Sequence, residues 1–415
     1  MNRPPNGPAV GAVNSYIPAP RTDNLPPAQG GQSIIMTNQP VRLLFLFADV
    51  GGGHRAPAQA VREALRRTVG GAARVELVDM LAGYAPWPYN RGQETYTKTV
   101  RFARLFERLI YHGLNGRRRM RLGASVMWRP MHRATLELIA DHPADLVVTF
   151  HPTYSYPLTW LKIPCAFVFT DLITNHALWC APGAERYIVP TELARTGAIS
   201  HGMPPDRVSV TGLPVHPRFL DPLPPREQIC QKLGVDCHKP IILLAGGGEG
   251  LGRVYDIAYA IGQADLEAQL VIITGRNQKL REQLEEIEWS METKVLGFTR
   301  EMSDWMAVAS VLITKSGSNT LAEALVRGLP MILFEWVGGQ EKRNPQYIEY
   351  SGAGVYSTKP AKIVNTLREW LSNPAQLQSL SDNAHRIARP EAAFDAAQIV
   401  YDLAVELKQK NSSAR

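Results

Sequence analysis

The chain has 415 residues, 45% of them hydrophobic, which is length and apolar content enough for two or three packed domains. A formal net charge of +7 and a pI near 9.2 favour an anionic partner such as a nucleotide, a nucleic acid or an acidic lipid surface. Four cysteines, Cys165, Cys180, Cys230 and Cys237, lack the paired spacing of a disulfide framework or zinc site and read as reduced thiols of a cytoplasmic protein.

Residues 1–40 are polar and rich in Pro, Gly and Asn. They predict a disordered tail and show neither a signal peptide nor a bilayer-spanning run. The apolar run Val41–Val50 then meets Gly51, Gly52 and Gly53, which predicts a buried parallel strand, a tight loop and a helix with Ala60, Val61, Ala64 and Leu65 on one face. Further strands are predicted at 73–80, 145–150, 165–171 and 185–190. The proline-rich stretch 212–240 reads as a domain crossing, after which the opening pattern returns at 241–261. Strands at 268–277, 293–298, 310–318 and 330–336 complete a second βα series, and a final helix carries lysines in its last turn. The expected fold is α/β, two Rossmann-like halves with a ligand site in the cleft between them.

Several stretches bear chemistry. His54 follows the glycines just where a helix starts. There it is either a base, kept neutral by the positive helix end, or a histidine that merely caps the helix. Gly51-x-Gly53-x-x-Ala56, with Asp79 ending the next strand, also fits a loose dinucleotide fingerprint, which keeps an NAD-type reading open. The stretch Thr314–Pro330 reads as strand, Ser316-Gly317-Ser318-Asn319 turn, and a helix starting near Thr320. Such a helix end suits a diphosphate, with Glu323 in the first turn able to reach a ribose. The plainer reading is an N-cap of Ser or Asn with Glu323 as its capping-box partner, and both can hold. Ala245–Gly252 misses the strict glycine count but still offers amides to phosphate. Gln340, Glu341 and Asn344 are of the kind that fix sugar hydroxyls, although alone they read as a polar surface loop.

From Lys98 to Arg133 there are ten Lys or Arg and one acid, Glu107. Phe102, Leu105, Phe106, Leu109 and Ile110 fall on one helical face, followed by Arg117, Arg118 and Arg119. This reads either as a helix lying on an anionic membrane or as a surface helix packed on the sheet. Nucleic acid is disfavoured, because no recognised binding motif accompanies the charge. The chain has no D-x-D, H-E-x-x-H, Walker A or G-x-S-x-G motif, so a site that meets diphosphate with helix N-termini and no metal fits better.

Taken in order, "GGGHRA" at 51–56, "PWPYNRGQETY" at 86–96, "FHP" at 150–152, "TDLITNH" at 170–176, "GLPVHPRF" at 212–219, "GGGEGLG", "TGRNQKL", "LGFTREMSDWM", "TKSGSNTLAEALVRGLP" and "GQEKRN" resemble the diacylglycerol glycosyltransferases of glycosyltransferase family 28 over about residues 40–375. The resemblance implies a GT-B fold: an acceptor and membrane domain at 41–215, a UDP-sugar domain at 216–385, and a last helix at 386–415 crossing back. It implies an inverting enzyme without metal or other cofactor, monotopic on the cytoplasmic face of a membrane. Its partners would be a UDP-hexose, diacylglycerol and anionic lipids such as phosphatidylglycerol, with no nucleic acid. His54 would be the base and Asp171 an acid beside it or on the acceptor side. Gly248, Ser316, Gly317, Ser318, Asn319 and Thr320 would hold the diphosphate, Glu323 the ribose, Phe298 would lie beside the uracil, Arg276 would bind the donor, and Gln340, Glu341 and Asn344 would contact the hexose. Gly53, Arg55, His151, Phe102, Phe106 and Arg117–Arg119 would serve acceptor and membrane. The chain departs from the family at Ser318-Asn319, where plant members read Pro-Gly, and at Ala177-Leu178, where Pro-Thr is usual. These changes touch donor and lipid choice respectively. A GT-B-fold UDP-sugar epimerase, an enzyme acting on another lipid-linked acceptor and a non-catalytic lipid-surface protein are the alternatives.

Overall fold

Two six-stranded sheets, parallel throughout, carry the molecule. The structure is a computed structural model, and it describes residues 39–49, 53–86, 90, 129–248, 250 and 252–413. The tail and the basic stretch with Phe102, Phe106 and Arg117–Arg119 therefore lie outside the described residues, as do Gly51 and Gly52.

The first sheet is built from β1 (Val41–Phe47), β2 (Ala73–Asp79), β3 (Leu146–Thr149), β4 (Cys165–Val168), β5 (Arg186–Val189) and β6 (Val208–Val210). Their spatial order is β2-β1-β3-β4-β5-β6. All of β1 except Arg42 is buried, as a parallel strand covered by helices on both faces requires. Ala60, Val61, Ala64 and Leu65 of the helix Arg55–Thr68 fill one face of that core.

The second sheet comprises β7 (Ile241–Ala245), β8 (Gln269–Ile273), β9 (Thr293–Leu296), β10 (Val311–Lys315), β11 (Met331–Glu335) and β12 (Gly354–Tyr356), in the order β12-β11-β10-β7-β8-β9. The edge strands β6 and β12, three residues each, were not expected from the sequence, because neither contains an apolar run long enough to register.

In both sheets the strand order reverses once, between β1 and β3 in the first and between β7 and β10 in the second. Loops that leave two neighbouring strands in opposite directions open a crevice at the carboxyl ends of those strands. His54 and His151 follow β1 and β3, while Gly248 and Ser316 follow β7 and β10. The final helix, Ala392–Ser413, lays Ala393, Ala396, Ala397, Val400 and Ala404 against β1, β3 and the helix Arg55–Thr68, so the end of the chain completes the core of the first sheet. Gly212, on the stretch joining the two sheets, has φ +104°. A Cβ there would overlap Arg389 and approach Ala392 Cβ to 2.8 Å, so the crossing of these two segments requires glycine.

Candidate active site

His54 occupies the N-cap position of the helix Arg55–Thr68, but its side chain makes no capping hydrogen bond, which removes the plain capping role. Its Nδ1 instead lies 2.8 Å from Oγ1 of Thr170, the second residue past β4. The ring meets that of His151 edge-on at 4.5 Å between centroids. Burial lowers the His54 imidazole from 6.5 to about 4, against a raising contact with the Phe150 backbone. Burial and the neighbouring His54 hold His151 well below its ordinary value. Nδ1 of His151 accepts from the Thr153 amide at 3.3 Å, which puts its proton on Nε2. Both rings are thus neutral at pH 7.

Asp171 follows Thr170. It accepts from Trp179 Nε1 at 2.9 Å, yet burial, helped by the facing charge of Glu341, pushes its carboxyl up to about 7. Asp79 is fully engaged: Oδ1 caps the amides of Leu81 and Ala82 at 3.1 and 3.2 Å, and Oδ2 accepts from Asp49 N. Three hydrogen bonds tie it to this local turn, a structural role in place of the ribose contact that a dinucleotide reading needs. Arg55 is likewise taken up, by Asp49 at 2.9 Å and by the face of Phe47.

Across the crevice, β10 ends at Lys315 and the buried Ser316 donates through both N and Oγ to Glu335 O, at 2.7 and 3.0 Å. The helix after it runs Ser318–Val326, starting two residues before the expected Thr320. Its N-cap is Gly317, and no side chain caps it. Glu323 is consequently in the second turn, not the first, and no Ser/Asn–Glu capping box forms: the backbone enters the helix directly from glycine. The first-turn amides are left facing the crevice end, the arrangement that binds an anion. Burial raises Glu323 to about 7, opposed by Arg218.

Gln340 and Glu341 sit on the short helix Gly338–Glu341, not on an irregular loop. Glu341 receives Lys315 Nζ at 2.8 Å on one oxygen and Val337 N at 2.8 Å on the other. Asn344 is fully buried; its Nδ2 donates to Ser316 O at 2.9 Å, and its Oδ1 has no partner among the described residues. Arg276 donates its backbone amide to Gly248 O at 2.9 Å and holds its guanidinium 5.0 Å from the Phe298 ring, which is 57% exposed. Gly275 makes that approach possible: its φ is +61°, and a Cβ there would stand 2.7 Å from Gly247 O.

Two bonds close the crevice: Asn319 Nδ2 donates to Gly53 O at 3.1 Å and Leu172 N donates to Ser318 Oγ at 3.3 Å. His54, His151 and Asp171 therefore face Ser316–Thr320, Glu341 and Asn344. Gly248, Arg276 and Phe298 form a separate flank. Two participants went unnamed in the sequence reading, Thr170 and Lys315. Each is a single polar residue at a strand end, a position that gives no pattern until the opposite sheet is in place.

Comparison with known proteins supplies the family. Residues 54–215 match the profile of monogalactosyldiacylglycerol (MGDG) synthase, and residues 242–399 that of the glycosyltransferase family 28 C-terminal domain. The chain is 35% identical over 395 residues to the monogalactosyldiacylglycerol synthase of Spinacia oleracea, spanning 89% of this chain and 73% of the relative. It is 32% identical over 394 residues to monogalactosyldiacylglycerol synthase 1 of Arabidopsis thaliana, spanning 91% and 73%. Among solved structures it resembles the UDP-GlcNAc 2-epimerase from Neisseria meningitidis bound to UDP-GlcNAc, with a TM-score of 0.57, 15% identity, and 88% of this chain and 100% of that one covered. It also resembles MurG from Acinetobacter baumannii, with a TM-score of 0.55, 15% identity, and 88% and 100% covered. At such identities the structural likeness is one of fold, the GT-B arrangement. The identity shared with the plant enzymes along both sheets decides the rest: the chain belongs to the monogalactosyldiacylglycerol synthase family of glycosyltransferases.

Proposed function

We propose that the chain transfers a hexose, galactose in first place, from a UDP-sugar to the free hydroxyl of diacylglycerol, with inversion at the anomeric carbon. The observation that carries this is a neutral, non-capping His54 set across the crevice from the uncapped start of the helix Ser318–Val326, the two joined through Asn319 and Gly53. The monogalactosyldiacylglycerol synthases of Spinacia oleracea and Arabidopsis thaliana, as relatives, support the sugar and the acceptor.

In the step itself, His54 takes the proton of the acceptor hydroxyl as that oxygen attacks the anomeric carbon. The bond from that carbon to the β-phosphate oxygen breaks, and UDP leaves with the electron pair. Thr170 Oγ1, 2.8 Å from Nδ1, fixes the orientation of the ring. The leaving charge meets the amides of residues 318–320 and the Lys315 ammonium, so the reaction needs no metal. Glu323 takes the ribose. Asn344 Oδ1, a buried acceptor without a donor among the described residues, and the Gln340 and Glu341 side chains take hexose hydroxyls.

No helix among the described residues is long and apolar enough to cross a membrane. We assign membrane contact to the basic stretch 98–133, acting on anionic lipid such as phosphatidylglycerol at the cytoplasmic face. The deciding assay presents labelled UDP-galactose and, separately, UDP-glucose to liposomes of diacylglycerol with and without phosphatidylglycerol. Monohexosyl lipid from one donor supports the reading and names the sugar. Interconverted UDP-sugar without a lipid product would replace it with the epimerase reading.

A further inference from the structure

At the other end of the helix Ser318–Val326, about 13 Å from its N-terminus at 1.5 Å per residue, the surface opens into a second cavity of about 300 Å³. Three guanidiniums line it: Arg218 and Arg300, both exposed, and Arg327, half-buried as the C-cap of that helix. None of the three has a carboxylate within 4 Å among the described residues. Three acids share this wall, and each already has a cation, Lys232 of the same wall among them. Asp221 is bound by Arg67 from the first sheet's helix, while Glu301 and Asp304 are held by Lys232 at 3.0 and 2.7 Å.

Two of the guanidiniums are fixed in place. Arg327 donates to Ser303 Oγ at 2.6 Å, and Arg218 to Arg300 O at 3.4 Å. Both stand over Phe219, at 5.5 and 5.9 Å from its ring centroid. Arg327 Nε is buried without a partner among the described residues, and burial draws the guanidinium below its ordinary value despite the fields of Asp304 and Asp221. A buried cation with an unmet donor is costly unless a countercharge arrives. Three guanidiniums around one opening, two of them preset, match the oxygens of a phosphate.

We infer that this cavity is a binding site for a phosphate-bearing anion at the far end of the helix from the donor diphosphate. Arg218 also bears on Glu323 of the ribose side. The volume admits a phosphomonoester or a diphosphate with a small substituent, and the chemistry is the same whether the phosphate is free or a lipid headgroup.

The test is calorimetric titration of the full chain with inorganic pyrophosphate and with glycerol 3-phosphate, in saturating UDP so that the donor crevice is filled. A parallel arm measures sedimentation with phosphatidylcholine vesicles with and without phosphatidic acid. Each is repeated in Arg300→Glu and Arg327→Gln, with folding checked by circular dichroism. Because Arg300 is exposed and bonds only through its carbonyl, its variant keeps the test alive if Arg327→Gln does not fold. The expected result is about a tenfold or greater weakening in each folded variant, the usual loss for one charge-assisted fork. The arm that shows it names the source of the phosphate. Absence of binding in every arm, or affinity within about twofold of the parent in Arg300→Glu, overturns the site. A chain that binds no UDP yet loses phosphate in Arg300→Glu would sink the donor reading and leave this site standing.

Discussion

A base that works because burial keeps it neutral has a titration that can be read directly. His54 moves from 6.5 to about 4, a roughly 300-fold weaker hold on its proton, so at pH 7 about one molecule in a thousand is protonated there. The sign follows from the cause. Desolvation disfavours imidazolium, so the neutral ring is retained as pH falls through 6 and is lost only near 4. The measurement is a histidine Cε1–H NMR titration of the whole chain with labelled histidine, the His54 resonance being assigned by its loss in His54→Ala. A midpoint near 4 is expected. A midpoint at or above 6.5 would mean that solvent reaches the ring and that burial does not set its state. The kinetic counterpart is a fall in transfer of about 10²–10⁴-fold in His54→Ala with UDP affinity unchanged. Retention of transfer within a few-fold would refute the role of His54 as base. Thr170→Val, which keeps the shape and removes the 2.8 Å contact, should lower kcat by about tenfold or more without altering UDP binding.

Glu323 titrates at about 7, above its ordinary 4.5. Its contribution to stability is thus complete below about pH 4.5 and is lost as pH rises through 7. Glu323→Gln should flatten the fall in Tm between about pH 5 and 8 while weakening UDP binding about tenfold, as measured by thermal melts and titration. Gly212→Ala forces a side chain against Arg389 and Ala392 at a positive φ; chemical denaturation should show a loss of about 1–3 kcal/mol. Dialysis against EDTA should leave transfer unchanged, and Lys315→Met should lower it by about tenfold or more, because the lysine and the helix start carry the positive charge at the diphosphate.

The long apolar runs at 41–47 and 241–245 were legible as buried strands, because a strand covered on both faces has no alternation to disguise it. The repetition of strand, glycine loop and helix made the two halves visible. Edge strands β6 and β12 were not legible, since three residues with mixed burial carry no period. The helix start at Ser318 was misplaced because serine and asparagine look like caps, whereas the cap here is the backbone of Gly317. His54, Asn319 and Glu323 were singled out by motif and by the family resemblance. Their meeting across 266 residues of chain between Gly53 and Asn319 is a product of topology. Thr170 and Lys315 follow the same rule: nothing local distinguishes a threonine after a strand until the histidine it touches is known.

The final helix has a consequence for how the molecule is made. Val41, Phe45 and Phe150 share one apolar cluster with Ala393, Ala397 and Val400, so the core of the first sheet contains both ends of the folded chain. During synthesis, the strands that emerge first must wait for residues that emerge last, and their apolar face stays open over the whole interval. The clusters around the second sheet take in Leu172, Ile173 and Ala384 but no residue of the final helix. Translation therefore yields a half-finished lobe trailing a finished one, which is a state that invites capture by chaperones and aggregation. A premature stop between Val210 and Ala392 would leave that first lobe unsealed even though every residue of its own sheet is present.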